Sequence, residues 1–245
     1  MVITSTDNAK VQEVAKLADK KYRKLHQCYV IEGERLVRDA IFHGAEVQNV
    51  FVAESVANKL NFANATIVSD RVFAKMSGTV NSQGVLAVAK IPQTELVAPQ
   101  GNCLILDNLQ DPGNIGTLIR SAVACGFTDV YAVNCADLYS PKVVRSAMSA
   151  HFCLNLHQTD DIVKVFDLAS KNLILACDMG GRNIFHCKFD GNVALVLGNE
   201  GNGLSVYSRQ KANDTICLPM ANSFESLNVA VAGSVIMYQI YANKI

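Results

Sequence analysis

Three short stretches of the sequence combine turn-forming residues with side chains that can bind or orient a ligand. The first follows the apolar run 104–106 and contains Pro112, Gly113 and Asn114, with Arg120 six residues farther along. Pro112 and Gly113 favour a turn, and Asn114 can cap the helix predicted to begin there. Six helical residues rise only about 9 Å, so Asn114 and Arg120 could reach one site. The alternative is an ordinary helix start with a surface arginine.

The second stretch is rich in glycine. Gly198, Gly201 and Gly203 fall within six residues, and glycines let a backbone approach a ligand closely. Their order differs from the GxGxxG pattern of dinucleotide-binding loops. Glu200 lies among them and would repel a phosphate group, so the loop does not predict a phosphate cradle.

The third stretch joins a strand that ends at Pro219 to a long helix that starts near Ser226. Ser226 and Asn228 can accept hydrogen bonds from the first amide groups of that helix. Such capping is also a sufficient structural explanation for both residues.

Apolar runs indicate the elements that must position these stretches. From residue 103 onward, near-continuous runs at 104–106, 130–133, 173–176 and 193–197 are typical of strands covered on both faces. Helical patterns fall between them, at about 114–125, 141–149 and 161–171. The second half therefore predicts an α/β fold with a mainly parallel sheet, whose ligands bind at the carboxyl ends of the strands.

The first ninety residues predict a separate, smaller α/β domain. Helical spacing begins at Val11, and further helix and strand signals alternate up to the strand expected at 85–89. A stretch with two prolines and little periodicity follows. We therefore divide the chain into a first domain at 1–91, a linker at 92–102 and a second domain at 103–245.

The composition excludes a disordered chain, because half of the residues are apolar and only 18% are charged. Basic and acidic residues balance at 22 each, yet residues 1–90 carry 12 basic and 9 acidic side chains. Six of the basic residues lie between Lys10 and Lys24. By itself, such a run favours a solvated helix face.

Eight cysteines without a CxxC pair predict buried, reduced thiols in a cytoplasmic protein, with no disulfide scaffold and no zinc site. The amino terminus lacks the layout of a signal peptide. The longest mainly apolar stretch, 229–240, is shorter than the roughly 20 residues of a membrane span. We expect no metal and no membrane partner.

The three stretches, in this order, resemble the SpoU/TrmH family of RNA 2′-O-ribose methyltransferases of the SPOUT superfamily. The resemblance covers about residues 103–241, and residues 29–90 look like the L30e/L7Ae-type substrate-binding module of many members. The family pattern usually has a glycine where this chain has Asn222. The residues that match the motifs are Asn114, Gly116, Arg120, Gly198, Glu200, Gly201, Gly203, Pro219, Ser226, Leu227 and Asn228.

The resemblance implies a trefoil-knotted second domain that binds S-adenosylmethionine. The cofactor-binding residues that it implies are Gly198, Leu218, Leu227, Ile216, Asn199 and Gly203. Asn114, Ser226 and Asn228 would position the ribose, and Glu200 would orient Arg120 or the loops.

The same resemblance implies that Arg120 acts as the general base that takes the proton of the ribose 2′-OH. A guanidinium loses its proton only above a pKa of about 12, however. Binding of the adjacent phosphate and stabilisation of the developing alkoxide are the alternative parts for Arg120.

The resemblance also implies RNA as substrate and a homodimer formed through the catalytic domain. Ribosomal RNA is favoured over tRNA, by analogy with the ribosomal-protein fold of the first module. The residues expected to bind RNA are Lys20, Lys21, Arg23, Lys24 and Arg35. A tRNA methyltransferase, a non-catalytic RNA-binding protein and a nucleotide-dependent oxidoreductase are the alternatives. Cofactor binding separates three of these classes. A methyltransferase would bind S-adenosylmethionine, an oxidoreductase would bind NAD(P), and a non-catalytic RNA-binding protein would bind neither.

Overall fold

A computed structural model of the protein describes residues 2–93, 95–221 and 226–243. The helices are α1 (Ala9–Lys16), α2 (Lys20–His26), α3 (Glu34–Phe42), α4 (Asp70–Met76), α5 (Pro112–Ala124), α6 (Pro141–Ala147), α7 (Ile162–Leu168), α8 (Val206–Lys211) and α9 (Val229–Ala242). The strands are β1 (Cys28–Glu32), β2 (Val47–Ala53), β3 (Thr66–Val68), β4 (Val85–Lys90), β5 (Asn102–Asp107), β6 (Phe127–Val133), β7 (Asn155–Thr159), β8 (Leu173–Asn183), β9 (Val193–Gly198) and β10 (Asp214–Cys217).

The chain forms two compact units. The first unit consists of residues 1–93 and 139–152, and the second of residues 94–138 and 153–245. Within the first unit the ring of Tyr139 packs edge-on against Tyr29, with 5.0 Å between the ring centroids. The Ser149 hydroxyl donates a hydrogen bond to Asp39. The segment 139–152, which the sequence places in the second domain, therefore packs with the first unit.

The first unit is built on a four-stranded sheet in the order β1-β4-β2-β3. β4 is antiparallel to both β1 and β2, whereas β3 is parallel to β2. Val11 and Val14 of α1 are three residues apart, so they lie on one helix face and enter the core. Val72 and Phe73 of α4 pack into the same core. The predicted small α/β domain is confirmed.

The second unit is a six-stranded sheet in the order β10-β8-β9-β5-β6-β7, and every pair of neighbouring strands is parallel. Successive side chains of a strand point to opposite faces. Ile105 belongs to the core that also contains Phe166 of α7. On the other face, α9 approaches the sheet so closely that a Cβ on Gly233 would lie 2.5 Å from a Leu197 methyl carbon. The predicted parallel sheet, with helices on both faces, is confirmed.

All eight cysteines lie in the described part of the chain, and all are free thiols. Five are buried, Cys177 and Cys217 are partly buried and Cys153 is exposed, so the prediction of buried thiols is wrong for Cys153. Within residues 2–93, 95–221 and 226–243 there is no cluster of side chains arranged to hold a metal ion. No helix in those ranges has the length and apolar character to cross a membrane. The trefoil knot stays a prediction.

Candidate active site

The first two polar loops meet because their parent strands are neighbours. β5 and β9 are parallel, and Asp107 at the end of β5 is in register with Gly198 at the end of β9. The Asp107 carboxylate accepts hydrogen bonds from the Ser205 amide at 2.9 Å and from the Ser208 hydroxyl at 2.6 Å. These bonds fix the far end of the glycine-rich loop against β5.

Asn199 shapes the glycine-rich loop from within. Its Oδ1 atom accepts hydrogen bonds from the amides of Gly201 and Asn202, each at 3.0 Å. Its Nδ2 atom donates to the Asn108 carbonyl oxygen at 2.8 Å, which ties the loop to the loop that follows β5. The close packing leaves no room for a side chain at Gly198, where a Cβ would lie 2.5 Å from the Gly203 carbonyl oxygen.

A carboxylate and two amides connect all three loops. Asn114 Nδ2 donates to Glu200 Oε1 at 3.1 Å, and Asn228 Nδ2 donates to Asn114 Oδ1 at 3.0 Å. Glu200 also accepts hydrogen bonds from the main-chain amides of Asp111 at 3.1 Å and Gln110 at 3.3 Å. We call Glu200, Asn114 and Asn228 the carboxylate–amide network. The three residues, predicted to share a site, are thus joined by hydrogen bonds through Asn114.

Asn114 is free to join this network because another residue caps α5. Asp111 is the N-cap, and its Oδ1 atom accepts a hydrogen bond from the Asn114 amide at 2.9 Å. The helix begins at Pro112, so the prediction that Asn114 caps it is wrong. Asn228 does cap α9, by accepting from the Ala230 amide at 2.9 Å, and its Nδ2 atom serves the network at the same time.

The network keeps Glu200 ionised. Partial burial alone would raise the pKa of the Glu200 carboxyl, but hydrogen bonds from Asn114 and from main-chain amides, including those of Asp111 and Gln110, lower the pKa below its ordinary value. A carboxylate held in this way is a weak proton acceptor. Its role is therefore to hold the first two loops together.

A cavity of about 500 Å³ lies beside this network, at the carboxyl ends of β9 and β10 and next to the middle of β8. Its volume falls in the range of small-molecule sites. The predicted cofactor-binding residues on its wall are Gly198, Asn199, Gly203, Leu218 and Leu227. Ile216 is fully buried within β10 and does not line the cavity, so its contact with the cofactor stays a prediction. Asn222 lies outside the described residues.

Other wall residues were not predicted from the sequence. Cys177, Asp178 and Met179 come from β8, and Met220 follows Leu218 in the third loop. Asp178 lies within β8, two residues after the apolar run 173–176, and a carboxylate that interrupts an apolar strand was a signal that could have identified it. Arg209 forms an ion pair with Asp178, and this pairing places the carboxylate at the cavity.

Ser226 and Arg120 have different positions. Ser226 is exposed and lines the cavity. Arg120 is exposed on α5, and its side chain makes no hydrogen bond or ion pair with any residue that the structure describes. Glu200 was predicted to orient either the loops or Arg120. The geometry supports the first role, because Glu200 contacts the loops and not Arg120.

The predicted RNA-binding residues lie in the first unit. The side chains of Lys20, Lys21 and Lys24 are exposed on α2, and Arg35 is exposed on α3. Arg23 is only 3% exposed, and its guanidinium donates to the carbonyl oxygens of Leu17 and Ala18. The prediction that Arg23 binds RNA is therefore wrong, because its side chain is occupied in fixing the residues that follow α1.

Replacing Glu200 with glutamine tests the carboxylate–amide network. Because one oxygen acceptor becomes a donor, we expect the loops to shift and turnover to fall about 10²-fold. The pKa of Glu200 is lower in the folded than in the unfolded protein, so its ionised form stabilises the fold at pH values above the unfolded pKa. That contribution to the free energy of unfolding is lost as the pH falls through the folded pKa. Urea unfolding should therefore separate wild type from E200Q at pH 7, and the difference should shrink as the pH falls below the unfolded pKa of about 4.3 and through the lower folded pKa. A difference that is independent of pH would contradict an ionised Glu200.

The molecule is thus an α/β protein whose parallel sheet carries the carboxylate–amide network and a cavity of small-molecule size near its carboxyl edge. The model of the SpoU rRNA Methylase family matches residues 101–238, and that of the MRM3-like substrate binding domain matches residues 8–87. The chain belongs to the SpoU rRNA methylase family.

Relatives with assigned names resemble the chain over nearly its full length. The 23S rRNA (guanosine(2553)-2′-O)-methyltransferase RlmP of Bacillus subtilis is 31% identical, over 97% of this chain and 98% of the relative. The AdoMet-bound rRNA methyltransferase of Sinorhizobium meliloti is 25% identical, with a TM-score of 0.88 over 100% of this chain and 98% of that one. The AviRb methyltransferase of Streptomyces viridochromogenes, in complex with AdoMet, has a TM-score of 0.86 at 25% identity over 97% of this chain and 98% of that one.

Proposed function

We propose that this protein transfers a methyl group from S-adenosylmethionine to a ribose 2′-OH of ribosomal RNA. The observation that carries the proposal is the carboxylate–amide network of Glu200, Asn114 and Asn228 beside a cavity of about 500 Å³. The wall of that cavity combines main-chain groups, aliphatic side chains and the Asp178 carboxylate. These groups suit a ligand that has an aromatic base and hydroxyl groups.

S-adenosylmethionine, when bound, supplies the methyl group as a reactive sulfonium. The protein's own contribution is mainly to position the acceptor, because alignment removes much of the entropic barrier of a bimolecular transfer. Asn114 and Asn228 are held in fixed orientations by their mutual hydrogen bond, so their remaining polar atoms are preorganised for a ribose. Ser226, on the cavity wall, is a further group for this purpose.

Arg120 would act on the charge that develops during transfer. A ribose hydroxyl must release its proton, which passes to solvent water, and a nearby cation stabilises the negative charge that develops on the oxygen. Arg120 has no carboxylate partner among the described residues, so its charge is available to RNA. We therefore assign it to phosphate binding and alkoxide stabilisation, since its high pKa disfavours a role as base.

Ribosomal RNA is the proposed substrate because relatives over the full length of the chain are named as rRNA methyltransferases. The first unit would hold the RNA, with Lys20, Lys21 and Lys24 of α2 placed to neutralise phosphates. The free thiols of all eight cysteines support a cytoplasmic location.

The activity test uses purified protein and S-adenosylmethionine with a labelled methyl group. We expect label in 23S rRNA at a ribose 2′-oxygen, without added metal. Matched acceptors are tRNA and a DNA copy of the labelled rRNA segment, which lacks the 2′-hydroxyl groups. Label on a base, equal labelling of the DNA copy or a preference for tRNA would each contradict a part of the proposal.

We also propose a homodimer formed through the second unit. α9 exposes Val231, Tyr238 and Tyr241, whose side chains are 48%, 53% and 37% accessible. Apolar side chains grouped along one helix favour association. Sedimentation equilibrium at micromolar concentration should give twice the chain mass, and Tyr238→Lys should shift the mass toward that of one chain. An exposed residue elsewhere, Val163→Lys, serves as control, and a wild-type monomer would contradict the proposal.

A further inference from the structure

A large cleft of the first unit is lined by residues other than the α2 lysines. It has a volume of about 930 Å³ and is lined by residues of α3, of β2 and of the segment 61–64. Phe42, at the end of α3, is 84% exposed there, an unusual state for a phenylalanine in the described part of the chain. Phe62 lines the same cleft, and the guanidinium carbon of Arg38 lies 4.5 Å from the centre of its ring.

The charged side chains of the cleft are already paired. Arg38 contacts Glu34 at 3.0 Å, and Asp39 contacts Arg35 at 3.6 Å. The cleft therefore offers little net charge to a phosphate or to an acidic peptide. Its flat surfaces remain available, because an arginine stacked on an aromatic ring extends the stacking surface.

Unused amides complete the lining. The side chains of Asn49, Asn61 and Asn64 are exposed in the cleft and make no hydrogen bond with any described residue. Each amide presents both a donor and an acceptor. An occupant that fits this lining is planar, aromatic and uncharged, with donors and acceptors along its edge.

We propose that this cleft binds an unpaired nucleobase of the RNA substrate. Proteins recognise single-stranded RNA by stacking splayed bases on aromatic side chains or on arginine, and by hydrogen bonds to the base edges. Phe42 and the Arg38–Phe62 pair would supply the stacking surfaces, and the three asparagines would read the base. The inference rests on the proposed function, since it assigns a substrate contact to the first unit.

The sequence contains no tryptophan, which allows a direct binding test. Phe42→Trp places a single fluorophore in the cleft, and Phe185→Trp places one on the second unit, where Phe185 is 50% exposed. The probes are 12-residue oligomers of A, U, C and G, and an abasic ribose–phosphate oligomer of equal length. In the Phe42→Trp protein we expect saturable quenching of tryptophan emission by at least one base-containing oligomer and none by the abasic oligomer. The Phe185→Trp protein should show no such quenching.

A second variant measures the contribution of the aromatic ring without a fluorophore. Phe42→Ala should weaken binding of the quenching oligomer about tenfold, the scale of removing one stacking partner of a base. Its thermal midpoint should stay that of wild type, because an 84% exposed side chain adds little to the core. Unchanged affinity, quenching by the abasic oligomer, or no quenching by any oligomer would overturn the inference. Neither experiment requires methyl transfer, so failure of the proposed activity would be seen separately.

Discussion

Gly198→Ala is expected to abolish both cofactor binding and methyl transfer. The added methyl carbon would lie 2.5 Å from the Gly203 carbonyl oxygen, with main-chain atoms of Leu204 equally close, so the loop must move. That loop carries Glu200 and forms part of the cavity wall, and its displacement should break the carboxylate–amide network as well. Isothermal titration with S-adenosylmethionine should show affinity at least about 10²-fold weaker, the scale expected when binding groups are misplaced by about 1 Å.

Gly180→Ala is the matched control. Gly180 lies in the same unit, at the exposed part of β8, and an added Cβ there would meet nothing within 4 Å. It should bind cofactor and turn over as wild type does. Circular dichroism and thermal unfolding of both variants separate a local effect from loss of the fold. A Gly198→Ala protein that binds cofactor normally would refute the assignment of this cavity.

Arg120→Ala is expected to reduce methyl transfer by about 10²–10³-fold, the usual cost of removing one group that stabilises transition-state charge. Arg120 is not on the wall of the cavity, so affinity for S-adenosylmethionine should change less than about threefold. Single-turnover rates with saturating RNA isolate the transfer step, and equilibrium titration reports cofactor binding.

Two further variants sharpen the Arg120 result. Lys171→Ala removes an exposed cation just before β8, at the opposite edge of the sheet, and should leave the rate unchanged. Arg120→Lys keeps the charge but loses the planar fork of donors, so partial recovery would favour charge stabilisation. A loss of cofactor affinity as large as the loss of rate would place Arg120 in the cofactor site and contradict its proposed role.

The parallel sheet of the second unit could be predicted from the sequence alone. Near-continuous apolar runs such as 193–197 are typical of strands covered on both faces, and their alternation with helical patterns indicated a parallel sheet. The same runs located the polar loops at strand ends. Glu200, Asn114 and Asn228 were identified because side chains of these types, in this order, match a known motif set.

The partner that each side chain takes depends on the tertiary structure. Asp111 and Asn114 both have side chains that can cap a helix. Asp111 takes the cap because α5 begins at Pro112, and this leaves the Asn114 side chain to bind Glu200. Arg23 has the sequence signature of a phosphate-binding residue, yet it is buried because the chain turns between α1 and α2. The packing of 139–152 on the first unit was equally hidden. These three results depend on contacts between residues distant in the sequence or on the path of a turn. Local periodicity and composition do not specify such contacts or turns.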